Sequence, residues 1–298
     1  MTTHVTTAVF PVAGLGTRFL PVTKSGPKEM LPIVDKPLIQ YVVEEALQAG
    51  ITQLVFVTSN TKRSLEDYFD SNLELEAHLE SKGKLRVLNA VRNILPEKVT
   101  CVYVRQPRPL GLGDAVLRAR SVVGHQPFAV LLADDIVDSE QGSDLKNMVD
   151  IYEETHASVL GVEKIAPEDT EKYGIISLTG ERHGLAERMN GIVEKPKPSD
   201  APSLLGAAGR YVFTPKIFDF LENQQAGVGG EIQLTDAIAA LLQHETVYAY
   251  PLQNERFDCG TKIGFLKATL RYALKREELS QELLTYLHEL VETTPAVL

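Results

Sequence analysis

The sequence predicts an α/β fold, a mixed and mostly parallel sheet flanked by helices, with a helical tail at the C-terminus. Three observations carry this. Short apolar runs rich in Val, Phe and Leu alternate with segments of helical periodicity through the first half of the chain. The first alternation is strand, helix, strand, the unit that builds parallel sheets through right-handed crossovers. The second half replaces most helices with strand-like runs between polar turns, which adds antiparallel pairing.

Ala8–Ala13 is the first strand. Pro37–Ala49 follows as a helix, because Leu38, Ile39, Val42, Val43, Ala46 and Leu47 recur at helical spacing and Gly50 stands where a C-terminal cap is needed. Gln53–Thr58, Val99–Arg105 and Phe128–Ala133 read as buried strands, and Asp114–Val123 and Ser143–His156 as helices. Ala157–Ile165, Gly174–Leu178, Gly191–Glu194 and Gly206–Phe213 read as strands, then Glu231–His244 and Lys262–Glu292 as helices. No repeat, low-complexity tract or linker interrupts the pattern. Residues 1–298 are therefore read as one domain, with 262–298 as its helical C-terminal extension.

Composition narrows the function. The 298 residues carry a formal charge of −10, a poor match to a nucleic-acid backbone. Cys101 and Cys259 form no CxxC pair, and the seven histidines are scattered, so neither a disulfide framework nor a zinc site is expected. No apolar run approaches ~18 residues, so no membrane span is expected. The polar stretch Met1–Thr7 lacks a signal-peptide core. A cytoplasmic enzyme is the expectation.

The first strand feeds a glycine turn, Gly14-Leu15-Gly16, followed by Thr17 and Arg18. Such a turn lets backbone N–H groups approach phosphate oxygens without a Cβ between them. A dinucleotide site would place a third glycine at position 19, and Phe19 stands there. A nicotinamide-dependent dehydrogenase is therefore disfavoured. A P-loop would need GKS or GKT, and the chain has neither. What the loop has is cationic: Arg18 and Lys28 can neutralise a triphosphate from two sides. In an open α/β sheet ligands bind beyond the carboxyl ends of strands. Gln106, Asp134-Asp135 and Glu194-Lys195 all fall there.

These residues carry a resemblance. G-x-G-T-R, P-x-T-K and P-K-E-M-L-P are similar to the signature loop of the sugar nucleotidyltransferases, the nucleoside-diphosphate-sugar pyrophosphorylases. In the family's order follow Gln106 with Gly111-Leu112-Gly113-Asp114-Ala115, LLADD at Leu131–Asp135, GIVEKP at Gly191–Pro196, GRYVF at Gly209–Phe213, GGEIQLTDAI at Gly229–Ile238 and FDCGTKIGF at Phe257–Phe265. The match spans nearly the whole chain and implies a Rossmann-like, GT-A-like nucleotidyltransferase fold. It is strongest to the uridylyl-transferring branch, whose insertion the segment Lys82–Thr100 resembles. One departure is Ala133, where the family often has Pro before the first Asp.

The resemblance implies that UTP and glucose 1-phosphate give UDP-glucose and pyrophosphate. The sugar phosphate attacks the α-phosphorus directly, so no Ser–His–Asp or Cys–His arrangement is required. A phosphate monoester with a second pKa of ~6 is already largely ionised at neutral pH. The work is charge cancellation and positioning. The expected catalytic residues are Arg18, Lys28, Asp134 and Lys195. Ala13, Gly14, Gly16, Thr17, Glu29, Gln106 and Gly111 are expected at the nucleotide. The Gln106 amide, which both donates and accepts, is expected to read the uracil edge. Gly174, Glu194 and Lys195 are expected at the sugar phosphate, with Pro196 holding Lys195 extended. Mg²⁺, which prefers oxygen ligands, is expected between Asp134 and Asp258, and whether Asp135 shares that role stays open. Cys259 reads as a small buried residue rather than a nucleophile. The family habit of forming dimers and tetramers implies a homo-oligomer, and the apolar stripe Leu266, Leu270, Leu274, Leu283, Leu287, Val291 suits either an interface or packing on its own domain. The alternatives are thymidylyl transfer by the same fold, or a nucleotide-sugar-binding regulator that has lost catalysis. The full charged set argues against the second.

Overall fold

The computed structural model describes residues 4–139, 142–227 and 230–293. Gly229 and the tail beyond Thr293 lie outside the described residues. One nine-stranded sheet runs through the molecule. Its first four strands are β1 (Thr7–Pro11), β2 (Gln53–Thr58), β3 (Thr100–Arg105) and β4 (Phe128–Leu131). The rest are β5 (Ser158–Lys164), β6 (Gly174–His183), β7 (Ala186–Glu194), β8 (Leu205–Phe213) and β9 (Val247–Pro251). They lie in the order β3-β2-β1-β4-β8-β5-β9-β7-β6. The first-half strands pair in parallel, as does β9 with β5. β8 runs antiparallel between β4 and β5, and β7 runs antiparallel to both β9 and β6. The sheet is thus more evenly mixed than the strand–helix alternation of the first half implies.

Alternation along the strands supplies both cores. Val9, Val55 and Val57 face one side, and Ala8, Phe10, Leu54 and Phe56 the other, all of them buried. Helix α1 (Leu38–Gln48) lays Val42, Val43 and Ala46 on the second face, and its C-terminus closes at Gly50, which has φ +91°. Helices α2 (Arg63–Phe69), α3 (Leu73–Ser81) and α4 (Leu85–Arg92) fill the segment before β3, and of these α4 lies within Lys82–Thr100, the stretch that resembles an insertion. The helix expected over Asp114–Val123 is two, α5 (Leu112–Arg118) and α6 (Arg120–Val123), joined at Ala119. Helix α7 (Asp144–Thr155) is N-capped by the Ser143 hydroxyl, which accepts from Lys146 N–H at 3.2 Å. Helices α8 (Ile217–Asn223) and α9 (Leu234–Leu241) pack with α5 on the first face, where Phe218 stacks on Phe128 at 4.8 Å between centroids.

The helix expected from Glu231 begins only at Leu234. Ile232 is held extended instead, donating its N–H to the Leu110 carbonyl at 2.7 Å and accepting from Gly113 N–H at 2.8 Å. Gly113 is required there, because a Cβ on it would stand 2.7 Å from the Ile232 carbonyl oxygen. The long C-terminal helix is likewise two, α10 (Lys262–Leu274) and α11 (Glu277–Thr293). At the break Lys275 pairs with Asp138 and Arg276 with Asp35, which ties the corner to the body. α11 buries none of its side chains.

Candidate active site

The acidic end of the site is built by a two-stranded ribbon. Asp135–Val137 pairs antiparallel with Arg256–Asp258, so that Asp135 lies opposite Asp258. The Cys259 N–H donates to the Asp134 carbonyl at 2.7 Å and locks the next residue of each strand together. Both carboxylates then converge over Gly260. A Cβ placed there would lie 2.8 Å from Asp134 Oδ2, 2.9 Å from Asp258 Oδ1 and 3.3 Å from Arg18 Nη1. Glycine keeps that point open.

Cations face these carboxylates. Lys28 Nζ donates to Asp134 Oδ2 at 2.5 Å. Burial lowers the Lys28 pKa, but the Asp134 and Glu29 charges outweigh it and hold the ammonium above its usual value. Burial raises Asp134, yet Lys28 and then Arg18 win and hold it below the usual carboxylate range. The two cations thus favour the carboxylate form of Asp134.

Glu29 does not face the ligand space as expected. It is 1% exposed, and Lys62, 4% exposed, donates to it at 2.7 and 2.9 Å. Burial drives Glu29 up and Lys62 down, each restrained by the other's charge. The pair is a buried brace beneath Lys28. Lys62, four residues past β2, gives no motif signal in the sequence.

The glycine loop follows β1, with Gly16 at φ +65° and Thr17–Phe19 in a short 3₁₀ turn. Phe19, in place of the third glycine, is buried and meets Phe265 of α10 edge-on at 5.7 Å. The position anchors the loop to the C-terminal helix instead of packing a dinucleotide helix. Gln106 follows β3 and is buried; its Nε2 donates to Asp114 Oδ2 at 2.8 Å and to the Gly111 carbonyl at 3.1 Å. Both amide donors are thereby engaged, which leaves Oε1 as the group to present. Gly111, at φ +103°, also permits the close approach of Glu231 and Ile232.

The opposite end of the cleft is formed where β6 and β7 meet. Gly174 pairs with Glu194 in register. Thr235 of α9 donates its hydroxyl to Glu194 Oε2 at 2.6 Å, and Lys195 Nζ lies 2.9 Å from Glu194 Oε1. Lys195 is not extended, as the following proline led us to expect. It sits at φ +46°, because its N–H reaches the Tyr173 carbonyl at 3.0 Å as β7 ends. The left-handed turn breaks strand alternation and brings the Glu194 and Lys195 side chains together. A non-glycine residue in this region marks a site held by its surroundings.

A cavity of about 460 Å³ joins the two ends, lined among others by Arg18, Asp134, Asp258, Gly174, Glu194 and Lys195. Gln106 and the glycine loop fall outside that lining. Asp135 is not equivalent to Asp134. Its Oδ1 lies 2.5 Å from Arg256 Nη2, and its other oxygen fills the space that Gly209, at φ +69°, leaves without a Cβ. Burial pushes Asp135 up to about 7 against the pull of Arg256, with the neighbouring Asp134 charge adding to the rise. Arg210 is fully buried, forked onto Glu45 of α1 at 2.8–3.1 Å, and also donates to the carbonyls of Leu132 and Asp135. It clamps the turn that carries both aspartates. Within GRYVF it reads in the sequence as one more strand residue. Cys259 is fully buried and burial drives its thiol pKa up, which suits a packing residue.

The family model described as Nucleotidyl transferase matches residues 8–275. A UTP–glucose-1-phosphate uridylyltransferase of Staphylococcus epidermidis is 50% identical over 283 residues, 95% of this chain and 97% of that one. A UTP-bound UGPase from Acinetobacter baumannii superposes with a TM-score of 0.89 at 48% identity, covering 96% of this chain and 99% of the other. A UDP-glucose pyrophosphorylase complexed with UDP-glucose gives a TM-score of 0.84 at 43% identity over 91% of this chain and 100% of the other.

Proposed function

This chain belongs to the nucleotidyl transferase family, and from that premise we infer that it is a UTP–glucose-1-phosphate uridylyltransferase. It transfers uridylyl from UTP to glucose 1-phosphate, giving UDP-glucose and pyrophosphate. The observation that carries this is a single cleft with a charged end at Arg18, Asp134 (itself paired with Lys28) and Asp258 and a polar end at Gly174, Glu194 and Lys195, in a chain half identical to named uridylyltransferases.

In the reaction a phosphate oxygen of glucose 1-phosphate forms a bond to the α-phosphorus, and the bond to the pyrophosphate oxygen breaks. The chain's task is to bring two anions together and hold them in line. Backbone N–H groups of Ala13 to Thr17, opened by Gly14 and Gly16, meet phosphate oxygens. Arg18 and Lys28 cancel triphosphate charge, with Glu29 and Lys62 bracing Lys28 from below. Gln106 Oε1 accepts from the uracil N3–H beside Gly111. Lys195 neutralises the sugar phosphate, and Glu194, oriented by Thr235, accepts from glucose hydroxyls over Gly174.

Asp134 and Asp258 fit Mg²⁺: both are hard oxygen donors, and they converge at the point Gly260 leaves open. No cluster of three or more His, Cys, Asp or Glu suited to a metal is found among the described residues; the two aspartates would hold the ion, with substrate phosphate oxygens as its further donors. The ion supplies charge neutralisation at the transferring phosphoryl group when bound. Residues 1–298 act as one unit. No helix among the described residues is long and apolar enough to cross a membrane, and we place the enzyme in the cytoplasm. Self-association through α10 and α11, where Leu266, Leu270, Leu290 and Val291 are exposed, predicts a light-scattering mass that is a multiple of 32.8 kDa; a monomer at working concentration removes that reading.

Pyrophosphate release tests the assignment, measured for each nucleoside triphosphate and dTTP with several sugar 1-phosphates. UTP with glucose 1-phosphate should dominate, and EDTA should abolish release. A dTTP-led profile would make the enzyme a thymidylyltransferase. Binding of UDP-glucose without any release would make it a regulator. Lys195→Ala should raise KM for glucose 1-phosphate about 10- to 100-fold, the loss of a charge-assisted contact of about 1.5–3 kcal/mol, while UTP affinity stays within about threefold. Equal loss for both substrates would remove Lys195 from the sugar end.

A further inference from the structure

One ionic cluster on the cleft floor has no part in the chemistry above. The Arg256 and Asp135 side chains are 5% and 7% exposed and lie 2.5 Å apart. Arg256 also donates to Glu163 of β5 through Nη1 and stands 5.3 Å from the Tyr173 ring centroid. Its buried Nε has no hydrogen-bond partner among the described residues. A guanidinium taken out of water, shared by two carboxylates and left one donor short, is a poor way to add stability; an apolar substitute of similar volume is often as good. Such a group calls for another explanation.

Its connections supply one. By backbone, Arg256 opens the ribbon strand that ends in Asp258, opposite Val137. By side chain, it grips Asp135, the residue after Asp134. Its other contacts reach across the cleft. Tyr173 precedes Gly174 and receives the Lys195 N–H, so the ring against which Arg256 rests belongs to the segment that sets Lys195 in its left-handed turn. One side chain therefore touches both the element carrying the two acidic groups and the element carrying the sugar-phosphate groups.

Resting on the uridylyl-transfer reading, we propose that Arg256 is a positioning residue that locks the acidic ribbon to the Tyr173–Lys195 segment and so fixes the spacing between the nucleotide end and the sugar end of the cleft. Loss of this lock leaves UTP binding nearly intact. What suffers is any ligand that must span both ends.

The test uses Arg256→Met, Arg256→Lys and the double variant Asp135→Asn/Arg256→Met, which removes the tight buried pair together; Glu163, 27% exposed, can be hydrated. Calorimetry in EDTA gives affinities for UTP and UDP-glucose without metal, alongside melting temperature, kcat and KM. The double variant should regain thermal stability relative to Arg256→Met. It should still bind UDP-glucose at least about tenfold more weakly than wild type, with UTP within about threefold, and KM for glucose 1-phosphate should rise. Arg256→Lys, which keeps the charge but not the fork, should show the same selective loss to a smaller degree. Recovery of UDP-glucose affinity together with stability in the double variant would mean a purely structural role and overturn the proposal. If the Met variants do not fold, equal loss of UTP and UDP-glucose by Arg256→Lys overturns it. Wild-type protein that binds no UDP-glucose would instead refute the functional reading.

Discussion

Asp134→Asn should lower turnover by about a thousandfold or more, the scale on which preorganised charge stabilises a transition state. The substitution is nearly isosteric and keeps the backbone carbonyl that Cys259 uses, so the ribbon survives. What disappears is one of two carboxylates converging over Gly260 and the anion that Lys28 meets at 2.5 Å. Turnover at saturating UTP, glucose 1-phosphate and Mg²⁺ measures the loss, and a rate near wild type would show that Asp134 is not a ligand. The acid limb gives a second readout. The folded-state pKa of Asp134 is depressed by Lys28 and Arg18 against burial. Its contribution to stability is thus present above the unfolded value of ~3.9 and is lost as pH falls through the lower folded value. The Asn variant should lack that part of the acid-induced loss.

Arg210→Met should cost about 3–5 kcal/mol of stability, because it leaves Glu45 buried beside an apolar chain with its charge uncompensated. Glu45 is 4% exposed and Arg210 wholly buried, so water cannot relieve it. Urea denaturation checks the value. The double variant Glu45→Gln/Arg210→Met should recover part of it, which separates the cost of an orphaned charge from the worth of the pair. Activity should fall in both variants, because Arg210 also donates to the carbonyls of Leu132 and Asp135 and so holds the turn that presents Asp134. A single variant as stable as wild type would mean that Glu45 finds other partners once the guanidinium is gone.

Much of this molecule is legible in the chain. β2 begins and ends where its apolar run does, and α1 closes at the expected glycine, because each is governed by local periodicity and a local backbone demand. The motif residues at strand ends were legible for the same reason: loops after β1, β3, β4 and β7 need only their strands to be placed. What escaped is what depends on distant partners. The three-residue ribbon strands carry no periodicity. Ile232 is extended because Leu110 and Gly113 claim its backbone, and no propensity of its own says so. Glu29 sits inside the signature loop and looks like a ligand contact, but Lys62 turns it into a buried brace. Lys195 adopts a left-handed turn against the preference of a residue before proline, because the tertiary bond to Tyr173 outweighs it.

The contact between Phe19 and Phe265 bears on how the protein comes into being during synthesis. The glycine loop is made within the first two dozen residues, yet its aromatic anchor arrives only with α10, and Asp258 only just before it. β1 must meanwhile wait for β4, and the sheet cannot close until β8 inserts between β4 and β5. A nascent chain that has folded as far as β9 therefore holds the glycine loop without its aromatic anchor and lacks Asp258. Ribosome-bound chains ending before residue 262 should be compact and catalytically silent, so that turnover begins only once α10 has been made.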